Sequence, residues 1–259
     1  MQQMKESAAQ FFSLPLETKN TVAVRGDSIQ GFGHHFSGAS SDKLDWAECL
    51  LLFTHRVQDR NMDFWPSEPP TFRHALDRYS MEIARVTKRL LGFMAADLGV
   101  SDGDDAVKGQ SMSMHHYPPC RRHRDKVVGI PPHTDSPALT LLLQVDDTPG
   151  LQIRRGGRWF PVRPMPGALL VNVGNILEVL TNGAYGSIEH RVVPDAERGR
   201  TTVVMFQDAS ADGLVGPLPE LLGGDDARAR YRSIGRDEYT KGHFVAVAQG
   251  TPFLHSLKK

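Results

Sequence analysis

The chain has 259 residues, 40% of them hydrophobic, and its 30 lysines and arginines are balanced by 30 aspartates and glutamates. That length suffices for one large domain with a sizeable core, and the even charge argues against general steering toward nucleic acid or an anionic membrane. The two cysteines, Cys49 and Cys120, form no disulfide framework and no zinc-like or redox spacing, and there is no apolar run of about 18 residues and no signal-peptide core. A cytoplasmic protein is the expectation.

Helices come first along the chain. Met4 to Phe12 reads as helical, and Ser13-Leu14-Pro15-Leu16-Glu17 reads as a break followed by a new helix start, proline being tolerated in a first turn. Gly26 to Gly33 carries no phosphate-loop signature, and Gln30-Gly31-Phe32-Gly33 reads as a strand entry. The strongest helix is expected from about Thr71 to Leu98. Its stripe of Phe72, Leu76, Tyr79, Ile83, Val86, Leu90 and Phe93, spaced by fours and threes, would face the core.

From Ser111 onward short strands alternate with Gly, Pro and Asp turns, the pattern of a sandwich or jelly roll. The run Arg121-Arg122-His123-Arg124 reads as a solvated loop. Ala138 to Gln144 is a strand, Arg154 to Trp159 a hairpin turning on Gly156-Gly157, and Ala168 to Val173 a continuous apolar strand. Asn182-Gly183 marks a tight turn before the segment bearing His190. After Phe206 the chain loosens at Ala211-Asp212-Gly213, and Asp237 to Val245 reads as a closing helix.

His133-Thr134-Asp135 and the distant His190 carry the chemistry. Residues two apart on a strand share a face, so His133 and Asp135 can reach one ion while Thr134 packs behind them. Two imidazoles and one carboxylate, with coordination positions left over, suit non-haem Fe(II). Arg200 and Thr202 share a strand face in the same way, and a guanidinium beside a hydroxyl suits a carboxylate. The bland alternative puts Arg200 on a solvated face near Asp195 and Glu197.

An ordered set of motifs runs over nearly all of the chain: Tyr117-Pro118-Pro119-Cys120, Pro131-Pro132-His133-Thr134-Asp135-Ser136, Gly150-Leu151-Gln152-Ile153, Trp159-Phe160-Pro161-Val162, Asn172-Val173-Gly174-Asn175, Thr181 to Arg191, and Arg200-Thr201-Thr202. It resembles the plant 2-oxoglutarate- and Fe(II)-dependent oxygenases. Lys43 to Glu48 and Phe64-Trp65-Pro66 place the resemblance with the senescence-related, codeine-demethylase-like branch.

That resemblance implies a double-stranded β-helix (jelly roll) core of mixed α and β class, with residues 1–108 as a helical portion, 109–210 as the oxygenase core and 211–259 as a closing loop and helix. It implies His133, Asp135 and His190 as iron ligands. Arg200, Thr202 and Tyr117 would hold the distal carboxylate of 2-oxoglutarate, with Thr202 where the family has serine. The reaction would be a hydroxylation, demethylation or desaturation of a small, largely apolar metabolite in plant specialised metabolism, with release of succinate and CO2. O2 would be consumed, ascorbate could serve as reductant, and the protein would act as a monomer without nucleic-acid or membrane partners.

Two positions depart from the family pattern. His115 stands where an asparagine is usual and is expected to be a lining residue, its neighbour His116 pointing to the opposite face; Asn175 stands where an aspartate is usual. The chain also begins where such proteins are already on a helix, so the usual amino-terminal segment is expected to be lacking. Two further readings stay open at this point, an oxidase of the same fold that does not use 2-oxoglutarate and a catalytically silent binding protein. Phe206, Phe244 and Phe253 are candidates for substrate contact, with core packing the simpler role for each.

Overall fold

Strand alternation builds two antiparallel sheets that face each other as a jelly roll, with a helical layer behind the larger one. The computed structural model describes residues 1–33, 43–55, 57–101, 107–123, 125–209, 213–224, 228–249 and 251–259. Arg124 of the basic run and Ala211-Asp212 of the expected loop lie outside them; Arg121, Arg122 and His123 are exposed, as a solvated loop requires.

The major sheet has the order β1 (Gly31–Gly33), β3 (Glu48–Phe53), β4 (Val107–Tyr117), β12 (Arg200–Ala209), β7 (Leu139–Gln144), β10 (Leu170–Val173). The minor sheet runs β6 (Ile130–His133), β11 (His190–Val192), β8 (Leu151–Arg155), β9 (Arg158–Pro161). The last two strands form the expected hairpin, with Gly156 and Gly157 both at positive φ. Two short pairs complete the strands: β2 (Leu44–Asp45) parallel to β5 (Val127–Val128), and β13 (Leu214–Val215) against β14 (Ile234–Gly235).

The register of β12 divides the major sheet into two chemically distinct faces. Val203 lies opposite Met114 and Leu143, and Met205 opposite Met112 and Leu141. Together with Leu50 and Leu52 of β3 these side chains are buried in the main core. The alternate set points the other way, toward the minor sheet: Arg200 opposite Tyr117, Thr202 opposite His115 and Gln144, Phe206 opposite Thr140. One face of the same six strands therefore makes the core, and the other makes a polar cavity.

The apolar face is covered by α1 (Gln2–Ser13) and α3 (Phe72–Leu98). Met4, Ala8 and Phe11 of α1 recur at helical spacing and are buried, and the Phe11 ring lies 5.7 Å from that of Phe72. On α3 the expected stripe holds through Phe72, Leu76, Tyr79 and Ile83, then shifts register. Val86 is 39% and Phe93 65% exposed, whereas Thr87 is buried and Leu90, Leu91 and Met94 pack on the core. Val86 and Thr87 flank the centre line of the stripe on opposite sides, so the helix period permits either, and beyond Ile83 the core contact drifts to the side of Thr87, Leu91 and Met94. Gly99, at φ 66°, caps α3 in the left-handed conformation.

The remaining helices are short or terminal: α2 (Leu16–Asn20), α4 (Asn175–Leu180), α5 (Pro219–Leu222) and α6 (Arg236–Gln249). Among the described residues no helix is long and apolar enough to cross a membrane.

Candidate metal centre and carboxylate pocket

His133 closes β6 and lies directly opposite His190 of β11, which brings the two imidazoles to a centroid separation of 4.2 Å. Asp135 was expected on the same strand as His133. Instead β6 ends at His133, and Asp135 sits in the turn leading to β7. Hydrogen bonds hold it there in place of a strand ladder: its Oδ2 accepts from the Thr140 hydroxyl at 2.6 Å and from the Asn172 amide at 2.7 Å, and its carbonyl accepts from the Asn175 backbone N–H at 2.7 Å.

The other carboxylate oxygen, Oδ1, is 3.5 Å from the Nε2 of both histidines, and the ligand atoms of the three residues all lie within 4.8 Å of one another. Both rings are oriented from behind. The Nδ1–H of His133 donates to the Pro131 carbonyl at 2.8 Å and that of His190 to the Ile188 carbonyl at 3.1 Å. Each Nε2 is thereby left with its lone pair directed at the common centre.

Electrostatics fit that donor set. Burial opposes ionisation of Asp135, but the bond from His133, the charges of both imidazoles and the Thr140 hydroxyl together hold its carboxyl well below the usual range. Burial also lowers the pKa of His190, helped by the charge of His133. For His133 burial is outweighed by its interactions with Asp135, and the net shift is upward. A preformed carboxylate facing two imidazole lone pairs is a cation site.

The carboxylate pocket is built on β12 and its neighbours. Arg200 is 1% exposed, which overturns the solvated alternative. Its Nη2 reaches the Gln144 side-chain oxygen at 3.3 Å, and the guanidinium carbon lies 5.4 Å from the centre of the Tyr117 ring. The Nε and Nη1 atoms of Arg200 and the hydroxyl of Thr202 are buried with no protein hydrogen bond of acceptable geometry. The Tyr117 hydroxyl is near enough to feel both: burial raises its pKa, and the charge of Arg200 with the nearness of Thr202 opposes that in smaller measure. A buried, always charged guanidinium with two unmet donors next to an unmet hydroxyl calls for an anion.

His115 lines this cavity, as expected. Its ring stacks on Tyr117 at 5.9 Å, its Nε2 is 2.9 Å from the Ser113 hydroxyl, and it stands apart from the metal cluster. His116 points to the opposite face, toward Phe12 and the Thr201 hydroxyl. Asn175 is buried at the start of α4. Of the phenylalanine candidates, Phe206 is half-buried on the cavity face, Phe244 is exposed, and Phe253 packs its edge on Tyr239. Thr140, Asn172 and Gln144, which hold Asp135 and Arg200, were not anticipated. Polar residues at alternate positions of the apolar β7 run were the available signal.

Comparison with known proteins agrees with this geometry. The model of the 2OG-Fe(II) oxygenase superfamily matches residues 108–209, and that of the non-haem dioxygenase N-terminal region found in morphine synthesis matches residues 1–68. The second match corrects the expectation that the amino-terminal segment is lacking, since residues 1–68 match that region. Protein SRG1 of Arabidopsis thaliana is 39% identical over 100% of this chain and 73% of its own length. Codeine O-demethylase of Papaver somniferum is 31% identical over 93% of this chain and 69% of its own length. Among solved structures, JOX2 in complex with 2OG, Fe and JA superimposes with a TM-score of 0.85 at 26% identity, covering 99% of this chain and 77% of that one. The rice dioxygenase for auxin oxidation gives 0.80, also at 26% identity, covering 99% and 85%. Neither the oxidase nor the silent reading is favoured by these relatives. The chain belongs to the 2OG-Fe(II) oxygenase superfamily, as an oxidoreductase whose cofactors are Fe(II) and 2-oxoglutarate.

Proposed function

We propose that Nε2 of His133, Nε2 of His190 and Oδ1 of Asp135 hold Fe(II), and that Arg200, Thr202 and Tyr117 hold the far carboxylate of 2-oxoglutarate in a dioxygenase acting on a small, largely apolar metabolite. The observation that carries this is the pair of unmet Arg200 donors and the unmet Thr202 hydroxyl on the same cavity face as Thr140, which positions Asp135.

When bound, Fe(II) and 2-oxoglutarate supply the oxidation, coupling O2 consumption and decarboxylation to succinate and CO2 to oxidation of a substrate C–H bond. The chain supplies position. Pro131 and Ile188 fix the imidazole tautomers, Thr140 and Asn172 fix the carboxylate, and Arg200 sets the depth of the co-substrate. Hydroxylation, demethylation and desaturation then differ in which carbon the cavity presents. The demethylases of flavonoids and of thebaine among the relatives make an O-methylated aromatic metabolite the first class to screen.

The boundaries read from the sequence, 1–108, 109–210 and 211–259, with O2 as co-substrate, belong to the same proposal, as does a monomer in a reducing compartment such as the cytoplasm. Cys49 and Cys120, both buried as thiols, suit that compartment. Anaerobic titration of the protein with Fe(II) and then 2-oxoglutarate tests the reading. A visible charge-transfer band is expected for the protein and a much weaker one at equal 2-oxoglutarate for Arg200→Ala; iron binding with no band in either would reject the co-substrate assignment.

A further inference from the structure

Resting on that reading, we propose that His243 is a specificity-determining residue, its imidazole facing the substrate side of the triad and hydrogen-bonding one uncharged oxygen of a mainly apolar substrate. The helix that carries it is pinned to the metal loop. The Tyr239 hydroxyl donates to the carbonyl of Ser136, the residue after Asp135, at 2.9 Å, and accepts from the Ser136 hydroxyl at 3.3 Å. His243 is four residues further along α6 and so lies on the face that Tyr239 presents to that loop, about 6 Å along the axis.

Phe253 fixes this face. Its ring meets Tyr239 edge-on at 5.3 Å and His243 at 6.5 Å, an approach that needs glycine at 242, where a Cβ would come within 2.4 Å of the phenylalanine ring. The half-buried His243 ring has no hydrogen-bond partner among the described residues. It is close enough to the centre to feel both His133 and Asp135. Burial, then the charges of Arg236 and His133, push its pKa down to about 4, with Asp135 opposing.

At neutral pH the imidazole is therefore uncharged, with one donor and one acceptor to offer. Arg236 does not add a free cation beside it, because its guanidinium is paired with Asp208. A hydroxyl or carbonyl suits such a group, and a carboxylate would have to compete with Asp208 for the Arg236 charge. Neither the metal ligands nor the 2-oxoglutarate pocket uses His243, so a bound substrate is free to replace the water that the half-buried ring meets in the free protein.

The test is anaerobic calorimetry on the Fe(II)- and 2-oxoglutarate-loaded protein with two matched probes, 7-methoxyflavone, which is uncharged at any pH, and flavone-7-carboxylic acid. The neutral probe is expected to bind at least tenfold more tightly than the carboxylate. His243→Ala is expected to weaken the neutral probe by about tenfold, the loss of one hydrogen bond, and His243→Gln, which keeps a donor and an acceptor, to stay within about threefold of the unchanged protein. Equal affinity in protein and His243→Ala, preference for the carboxylate, or binding of neither probe would overturn the proposal. The charge-transfer band separates the two readings: a missing band in the unchanged protein rejects the cofactor site, whereas an intact band with unchanged probe affinities in His243→Ala rejects only the role of His243.

Discussion

Asp135 is the residue on which the site turns, because one of its oxygens faces the two imidazoles only while the other is held by Thr140 and Asn172. Removing the Asn172 amide leaves a single hydroxyl to orient the carboxylate. Outer partners of metal ligands typically contribute 10- to 100-fold in affinity. For Asn172→Ala we therefore expect Fe(II) affinity, measured by competition with a chelator, to fall about tenfold or more while far-ultraviolet circular dichroism is unchanged; affinity equal to the unchanged protein would show that Thr140 suffices. At this scale much was legible in the sequence. His133, His190, Arg200, Thr202 and Tyr117 are chemically distinctive residues, and strand alternation alone sends Arg200 and Thr202 to one face. Thr140, Asn172 and Gln144 were not legible as partners, since each contact depends on the pairing of β7 with β10 and β12. His243 lies on a helix whose sequence gives no sign of the metal loop it faces.

Elements transmit this order through close backbone contacts. Gly174 precedes α4 at an ordinary φ of −105°, so its role is space and not conformational freedom. A Cβ there would lie 2.0 Å from the Pro137 carbonyl oxygen and 3.0 Å from that of Asp135, both backbone atoms that cannot rotate away. Gly174→Ala must displace the turn between β6 and β7, and overpacking of this kind costs about 1–3 kcal/mol. The expected outcome is a lower melting temperature together with weaker iron binding, whereas Gly235→Ala, with nothing near its Cβ, serves as the control. Melting and iron affinity equal to those of the control variant would remove the close-contact argument. Legibility at this scale follows sequence distance. The first half of α3, the β8–β9 hairpin and β7 carry local signals. β3 was missed because Cys49 to Phe53 is a short apolar run whose strand identity comes from pairing with β4, far along the chain. The later part of α3 was read imperfectly because Val86 and Phe93 fit the helix period as well as Thr87 and Met94 do, and the elements packed against the helix decide which edge of the stripe is covered.

The whole molecule joins two sheets of unequal support. The major sheet is backed by α1 and α3 over a core that draws on most of the chain, whereas the minor sheet rests on a small cluster of Tyr117, Leu151 and Val192 with a few half-buried neighbours. His133 and His190 come from the minor sheet, Arg200 and Thr202 from the major one, and Asp135 from the turn between them. Fe(II) and 2-oxoglutarate bound together would therefore tie the weaker sheet to the stronger. Ligands held by the folded state alone stabilise it by mass action, about 2.7 kcal/mol at a hundredfold excess over Kd. For a chain of this size that corresponds to a rise of about 5–10 °C in melting temperature. The rise should require both ligands for its full extent, shrink with Arg200→Ala, and disappear on chelation under anaerobic conditions. Hydrogen exchange locates the effect: protection should grow in β6, β8 and β11 and stay nearly constant in α1 and the first half of α3, which the main core already secures. Protection gained evenly across both sheets would mean that ligand binding tightens the molecule globally, and the division into a self-supporting sheet and a ligand-clamped one would then be wrong.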